Sequence, residues 1–196
     1  MKKSLIAIIA VVVFIIIVIS WGVGKTNKLK VADEAVSAQW AQVENVYQRR
    51  MDLIPNLVNT VKGYAAHEQE TLTAVVEARA KATSTTINAD NMSADKLAQF
   101  QQSQEALSSA LSRLMVVVEK YPDLKANQNF MELQAQLEGT ENRIATERRR
   151  FNETAQNFNA SIRTFPNSFF ANMAGLEKRP YFSAQEGAAQ APEVKF

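Results

Sequence analysis

The chain carries its clearest pattern in residues 36–64, VSAQWAQVENVYQRRMDLIPNLVNTVKGY, where apolar side chains recur at alternating steps of four and three residues. This spacing is typical of a long amphipathic helix that buries one face. The stripe consists of Val36, Trp40, Val43, Tyr47, Arg50, Ile54, Leu57, Val61 and Tyr64. Arg50 alone interrupts its apolar character, and looser apolar spacing continues to Val76. The pattern therefore predicts a first long helix.

Pro55 lies inside this stripe. A proline removes one backbone hydrogen bond and crowds the preceding turn, which costs about 3 kcal/mol in a helix interior. Because the stripe keeps its phase from Ile54 to Leu57, we expect a kink at Pro55. A break there is the alternative, and it would give two successive helices.

Two further stripes of the same kind cover residues 97–121 and 130–165. A polar stretch at 82–91 precedes the second stripe, and Pro122 ends it because the residue before a proline disfavours the α conformation. Long helices joined by short connections pack antiparallel. The predicted fold is all-α: an N-terminal transmembrane helix followed by an elongated antiparallel bundle of three long helices, or four if the first breaks at Pro55.

Residues 5–23, LIAIIAVVVFIIIVISWGV, form a run of 19 residues without a charge, 14 of which are Leu, Ile, Val or Phe. As a helix the run spans about 28 Å, close to the hydrocarbon thickness of a bilayer. Leu5, Phe14 and Ile19 lie within this predicted membrane-spanning segment. Trp21 lies at its end, where an indole is favourable at the membrane interface.

A cleaved signal peptide is the alternative to a retained anchor. Its apolar region would have about 7 to 15 residues and a small-residue cleavage site close behind. The run is longer, and the nearest such site, Ala35-Val36-Ser37, lies within the predicted first helix. We therefore expect a retained anchor and a single-pass membrane protein. The flanking lysines are nearly balanced, and the Met-Lys-Lys start resembles a signal-anchor, so we expect the soluble domain on the extracytoplasmic side.

These patterns divide the chain into five predicted segments. They are a short N-terminal tail (1–4), the transmembrane anchor (5–23), a juxtamembrane segment (24–32), the helical bundle domain (33–176) and a flexible C-terminal tail (177–196).

Apart from Lys2 and Lys3, the chain has 20 basic and 20 acidic residues, from totals of 22 and 20. A neutral domain has little long-range attraction for polyanions, so no nucleic-acid partner is expected.

Each familiar catalytic or metal-binding motif lacks several of its parts. His67 is the single histidine and the chain has no cysteine, so a transition-metal site would have too few ligands. The sequence contains no Gly-x-Ser-x-Gly turn and no glycine-rich phosphate loop. We therefore predict no catalytic residues, no cofactor, no metal and no enzyme. The basic clusters at 49–50 and 148–150 are predicted to form exposed ion pairs, with binding to anionic lipid or nucleic acid as the alternative.

Arg50 occupies a stripe position, and a buried arginine requires a partner. Asp52 is too close in sequence to share its face of the helix. We therefore predict a carboxylate from the third helix, namely Glu138, Glu141 or Glu147.

Five aromatic side chains follow the third stripe or lie near its end, where a bundle has little room to bury them. They are Phe165, Phe169, Phe170, Tyr181 and Phe182. A concentration of exposed apolar side chains marks a contact surface. We predict that these rings contact a partner protein, a neighbouring subunit or the membrane.

Five separated segments resemble the LemA family, and they occur in the family's order. They are RRMDLIPNLV (49–58), VKGYAAHE (61–68), YPDLKAN (121–127), TENRIA (140–145) and the stretch from Phe151-Asn152 to Phe165-Pro166. The motif residues within them are Arg50, Asp52, Pro55, Asn56, Tyr64, Pro122, Glu141, Asn142 and Pro166. One departure is Phe151, where the family commonly has tyrosine. The resemblance implies a bacterial single-span protein of the cytoplasmic (inner) membrane with an antiparallel helical bundle and no established catalytic activity. It supplies no active-site residues.

The predicted function is that of a non-enzymatic scaffold or interaction protein of the bacterial envelope. Its partners would be the lipid bilayer, contacted through the N-terminal helix, further copies in a homo-oligomer, and other envelope proteins. The alternative is a lipid-binding or membrane-remodelling protein that acts through amphipathic helices.

Overall fold

A computed structural model describes residues 2–183, and the regular structure within them is helical, with no β-strand. The helices are α1 (Lys2–Tyr64), α2 (Gln69–Ser84), α3 (Ala94–Val118), α4 (Pro122–Lys125), α5 (Gln128–Arg163) and α6 (Asn167–Met173). A short 3₁₀ turn lies at Ala89–Asn91. The predicted all-α fold is confirmed.

The helix α1 runs without a break through Pro55 for 63 residues, a length of about 95 Å. A proline has no N–H, so the carbonyl oxygen of Met51 loses its donor within the helix. The Nε–H of Arg79, on α2, donates to that oxygen at 2.9 Å. The backbone group that Pro55 leaves unpaired is thus satisfied from a neighbouring helix, which explains why α1 continues.

The break in the first stripe lies at residues 65–68, after Tyr64, so the prediction of one helix extending towards Val76 is wrong. Two causes act at this point. Gly63 is a poor helix former, and α5 begins at Gln128, level with the end of α1. Beyond Tyr64 a straight α1 would have no neighbour to pack against, whereas the reversal into α2 buries Leu72 and Val75.

The bundle is antiparallel, with α1 and α3 running away from the N-terminal apolar segment and α2 and α5 running back. We call the end near Leu29 proximal and the end near Tyr64 distal. The helices α1 and α5 pair over most of their length, whereas α2 pairs with α3. The backbones of α3 and α5 remain farther apart than those of the two pairs, which leaves a groove between them. The bundle therefore has four main helices, not three.

Two apolar clusters form the core. The distal cluster is aliphatic and centres on side chains such as Leu57, Leu107 and Leu114. The proximal cluster is aromatic and centres on Trp40, whose ring packs against those of Phe100, Phe151 and Phe182 at centroid distances of 5.5, 5.6 and 5.9 Å. The two clusters fill the whole length of the bundle, so it is held together from Leu29 to the distal end.

The predicted anchor forms the first part of α1, and its side chains are exposed because no described residue from another helix packs on them before Trp21. This part is long and apolar enough to cross a membrane. The predicted juxtamembrane segment, 24–32, is also helical, and Leu29 within it is already buried in the proximal cluster. The apolar segment therefore continues into the bundle without a linker.

The chain returns to the bundle after α6. Residues 176–183, which we call the C-terminal strap, run along the bundle from the proximal end and bring Phe182 into the proximal cluster. The prediction of a flexible tail from residue 177 is therefore wrong for 177–183, because side-chain amides on α3 and α5 hold these residues. Residues 184–196 of the predicted tail, and Met1 of the N-terminal tail, lie outside the described residues.

Candidate functional site

Arg50 lies at the centre of the bundle and is only 1% exposed. Its Nη1 donates to the Glu141 carboxylate at 2.8 Å and to the Ser108 hydroxyl at 3.0 Å. Its Nη2 donates to the side-chain oxygen of Gln104. The predicted carboxylate partner on the third predicted helix is thus confirmed as Glu141. Of the two other candidates, Glu147 accepts instead from Gln39 at 2.7 Å.

The surroundings of Arg50 are of low polarity apart from these partners. The Tyr47 ring centroid lies 5.2 Å from the guanidinium carbon, within the range of a cation–π contact. Burial raises the pKa of the Tyr47 hydroxyl, an effect that the positive charges of Arg148 and Arg50 oppose. The Nε of Arg50 has no hydrogen-bond partner within the described part of the chain. Removing the charge of Glu141 would therefore leave a buried cation without a compensating anion.

The groove between α3 and α5, which we call the α3–α5 groove, has a volume of about 530 Å³. Its lining includes Ser108, Leu111, Ser112, Met115, Leu137, Glu138 and Glu141. Ser108 and Glu141 line it and also bond Arg50, so the groove opens directly onto the buried arginine. The side chain of Glu141 is 45% exposed. The groove combines apolar side chains with polar and acidic ones, which is the composition of a protein contact surface.

Three side-chain amides hold the C-terminal strap by bonding its main chain in both directions. Asn152 donates to the Phe182 carbonyl at 3.0 Å and accepts from the Phe182 N–H at 2.8 Å. Gln101 makes the same pair of bonds to Ser183, at 3.2 Å each. Asn159 accepts from the Arg179 N–H and donates to the Arg179 carbonyl, both at 2.8 Å. Each side-chain amide thus pairs with the main chain of the strap as a neighbouring β-strand would.

Arg179 anchors the start of the strap to the proximal end. Its Nε donates to the Asp33 carboxylate at 2.7 Å, and its Nη1 donates to the Ala89 carbonyl. Neither side chain is fully exposed, with 13% of Arg179 and 23% of Asp33 accessible. The ion pair ties the C-terminal strap to α1, the helix that begins in the apolar segment.

The predicted aromatic patch does not form one surface. Phe165 and Phe169 are 88% and 63% exposed, whereas Phe182 is 5% exposed, so its assignment to an exposed surface is wrong. Phe170 packs against Trp21 with a centroid distance of 5.6 Å. The Tyr181 hydroxyl accepts from Asn159 at 2.8 Å. The strap separates the five rings because it carries Tyr181 and Phe182 away from α6 and along the bundle.

The predicted membrane-spanning residues Leu5, Phe14, Ile19 and Trp21 are each at least half exposed.

The motif residues are spread over the bundle. The Asp52 carboxylate accepts a hydrogen bond from Gln48, and the Asn56 carbonyl accepts one from Thr60, both within α1. The Tyr64 hydroxyl accepts one from Asn127. Pro122 begins α4, Pro166 precedes α6, and Asn142 lines the α3–α5 groove. The motifs therefore mark helix contacts and ends, and only Arg50, Glu141 and Asn142 meet at the groove.

Gln101, Asn152 and Asn159 are not among the functional residues predicted from the sequence. A signal was present, because Asn159 is adjacent to Phe158 and falls on the buried side of α5, where a polar side chain requires a partner.

Among the described residues, no group of three or more His, Cys, Asp or Glu side chains is placed to hold a metal ion.

The chain resembles known bacterial proteins over most of its length. The LemA family model matches residues 39–196. Protein LemA of Metamycoplasma hominis is 25% identical over 164 residues, which cover 84% of this chain and 71% of that protein. Magnetosome protein MamQ of Magnetospirillum gryphiswaldense is 34% identical over 74 residues, and magnetosome protein MamQ 2 of Paramagnetospirillum magneticum is 35% identical over 74 residues. Each of these two matches covers 38% of this chain and 27% of the magnetosome protein.

These findings agree with the sequence patterns described above. The matched region takes in all four main helices of the bundle except the start of α1. The apolar start of α1, together with these relatives, indicates a membrane-associated protein. The chain belongs to the LemA family.

Proposed function

We propose that this protein is a membrane-anchored, non-enzymatic scaffold that associates side by side with further copies of itself and presents its bundle to other envelope proteins. The observation that carries the proposal is the continuity of α1 from the apolar segment to the distal end of the bundle. A chain with a flexible linker would orient its domain at random, whereas this one holds its bundle upright on the membrane.

Upright rods lose little orientational freedom when they associate, because the membrane has already fixed most of it. The distal end would stand about 60 Å above the membrane surface, counting the residues from Val23 to Tyr64 at 1.5 Å each. Copies anchored in one membrane present the same surface at the same height. Such copies favour a two-fold contact in which a surface meets its own equivalent.

We assign this contact to the α3–α5 groove, since no helix among residues 2–183 covers its apolar walls. When two grooves face each other across a two-fold axis, α3 of one copy opposes α5 of the other, so Leu111 and Met115 meet Leu137 of the second copy.

Cross-linking in membranes tests this assignment, because the chain has no cysteine of its own. Ser112→Cys places a thiol in the groove, and Ser84→Cys places one on α2. The two serines are matched, since both are exposed helical residues whose hydroxyls bond a carbonyl of their own helix. With a short bifunctional maleimide, we expect a dimer from Ser112→Cys and none from Ser84→Cys.

The mass of the full-length protein in mild detergent completes the test. An oligomer together with groove-specific cross-linking supports the scaffold. A monomeric mass without cross-linking from either variant would overturn self-association. Equal cross-linking from both variants would overturn the assignment of the contact to the groove.

The proposal includes the membrane and the side of the bundle. We place the anchor in the bacterial inner membrane, since the relatives are bacterial proteins, and the bundle outside the cytoplasm, since Lys2 and Lys3 precede the apolar segment. Reporter enzymes fused to the C-terminus distinguish the two sides. Activity from a reporter that works only in the cytoplasm would reverse the orientation.

A further inference from the structure

The proximal end of the bundle carries large apolar side chains that no described residue covers. Phe165 is 88% exposed, Phe169 63% and Met173 68%. Phe169 and Met173 lie four residues apart and therefore share one face of α6. Phe165 lies just before that helix. Such a concentration of exposed apolar side chains at one end of a protein marks a contact surface.

The position of α6 along α1 identifies what this surface meets. The Phe170 ring packs edge-on against Trp21, with ring centroids 5.6 Å apart. A methyl group at Gly22 would lie 2.9 Å from the same ring, so the glycine permits this close approach. Trp21 and Gly22 belong to the last turn of the charge-free segment. The exposed side chains of α6 therefore stand at the depth where a bilayer around that segment would end.

Basic side chains lie on the bundle side of this contact. Lys25 and Lys28 follow Trp21 on α1, and Arg163 ends α5 just before α6. Lys28 and Arg163 are exposed. An apolar face towards the lipid with basic side chains towards the water is the arrangement of helices that lie in a membrane interface.

The chain leaves α6 through a turn that sends it back to the bundle. Gly175 has a φ of 67°, which a side chain would disfavour. The N–H of Leu176 donates to the Ala171 carbonyl at 3.0 Å, and the N–H of Gly175 donates to that of Asn172 at 3.2 Å. This is the hydrogen-bond pattern that ends a helix and reverses the chain. The segment thus approaches the end of the apolar segment and then withdraws from it.

We propose that α6 is an interfacial membrane helix, which inserts Phe165, Phe169 and Met173 into the headgroup region of the bilayer in which the protein is anchored. This inference rests on the proposed anchor. It gives the protein a second contact with the membrane, next to the first, and determines which side of the bundle faces the bilayer surface as well as the height of the bundle.

Depth-dependent fluorescence quenching in liposomes tests the inference with the full-length protein. Four variants each carry one thiol for an environment-sensitive fluorophore: Phe169→Cys, Met173→Cys, Phe14→Cys and Val116→Cys. Val116 is the matched control for Met173, because both are 68% exposed and Val116 lies towards the distal end of α3. The liposomes contain lipids with a nitroxide either at the headgroup or deep in the acyl chain. Thermal unfolding of each labelled variant checks that the bundle is intact.

We expect shallow nitroxides to quench positions 169 and 173 roughly twofold more than position 116, since an interfacial helix lies near the headgroup boundary. Deep nitroxides should quench position 14 most. Quenching at position 14 with none at 169 and 173 would overturn the interfacial helix and leave the anchor standing. A blue-shifted emission at 169 and 173 without quenching would assign the surface to a protein contact and overturn the lipid contact. Absence of quenching at position 14 would overturn the anchor, and the inference with it.

Discussion

Arg79→Met tests the explanation for the continuity of α1 through Pro55. The variant keeps most of the length of the side chain but removes the donor to the Met51 carbonyl, which Pro55 leaves without a partner in its own helix. A hydrogen bond from a charged group contributes about 1.5 to 3 kcal/mol when it is buried. Arg79 is half-buried, so we expect a loss near the lower limit, about 1.5 kcal/mol in the free energy of unfolding.

The decisive comparison is a double-mutant cycle with Pro55→Ala. Alanine restores an N–H at position 55 that can donate to Met51 within the helix, and the arginine bond then becomes redundant. In that background, Arg79→Met should cost less than about 0.5 kcal/mol, which gives a coupling energy of about 1 kcal/mol. Urea unfolding of the full-length protein in micelles, followed by far-ultraviolet circular dichroism, measures each corner of the cycle.

The control is Arg113→Met, which removes an exposed arginine of α3 that has no such role. It should change stability by less than about 0.5 kcal/mol. If Arg79→Met costs the same with proline and with alanine at position 55, Arg79 acts through other contacts. The explanation of the uninterrupted helix would then be refuted.

Three further predictions concern the centre of the bundle and the C-terminal strap. Glu141→Gln should lower the free energy of unfolding by about 1 to 2 kcal/mol, because it leaves Arg50 without its counter-charge; the value is reduced to allow for the exposure of the carboxylate. The control Glu138→Gln, in the same groove, should change the free energy of unfolding by less than about 0.5 kcal/mol. Asn159→Ala should lower the free energy of unfolding by about 2 kcal/mol and speed tryptic cleavage after Lys178. The control Asn157→Ala, at an exposed position nearby, should do neither. Unchanged cleavage in Asn159→Ala would show that the strap is held without Asn159. Burial raises the pKa of Tyr47 above that of an unfolded tyrosine. The neutral hydroxyl therefore contributes fully to the free energy of unfolding below about pH 10, and this contribution is lost as the pH rises above that value. Tyr47→Phe should therefore reduce the fall in unfolding free energy between about pH 8 and pH 11, and an equal fall in both proteins would contradict the assignment.

Periodicity in the sequence was sufficient to predict the buried faces of the helices and to limit the partner of Arg50 to three glutamates. Both follow from local rules, since a stripe of apolar side chains identifies the buried face and a charge on that face requires an opposite charge on a facing helix. The three candidate carboxylates were all on α5, and Glu141 is the one level with Arg50.

The end of α1 could not be predicted in the same way. Pro55 carries a strong local penalty, but the donor that offsets it, Arg79, lies on another helix and 24 residues further along the chain. The break after Tyr64 depends on where α5 begins, which is a property of the assembled bundle and not of residues 65–68. Both outcomes depend on contacts between helices, which a stripe along one helix does not contain.

The C-terminal strap was missed for a different reason. Its residues lack the periodicity of a helix, and the amides that hold it occur in helices where asparagine and glutamine usually face water. The burial of Phe182 depends on those amides, so the ring was assigned to a surface. Polar residues on the buried side of a predicted helix were the available indication of a bound segment.

The unbroken α1 also makes the molecule a lever. A transmembrane helix changes its tilt when the bilayer around it becomes thicker or thinner. With no hinge between the apolar segment and the distal end, every change of tilt reaches the far end of the bundle in full. An arm of about 60 Å converts a tilt of about 10° into a lateral displacement of about 10 Å, which is the width of one helix. A change in the thickness of the membrane would thereby move the distal end sideways relative to the anchor.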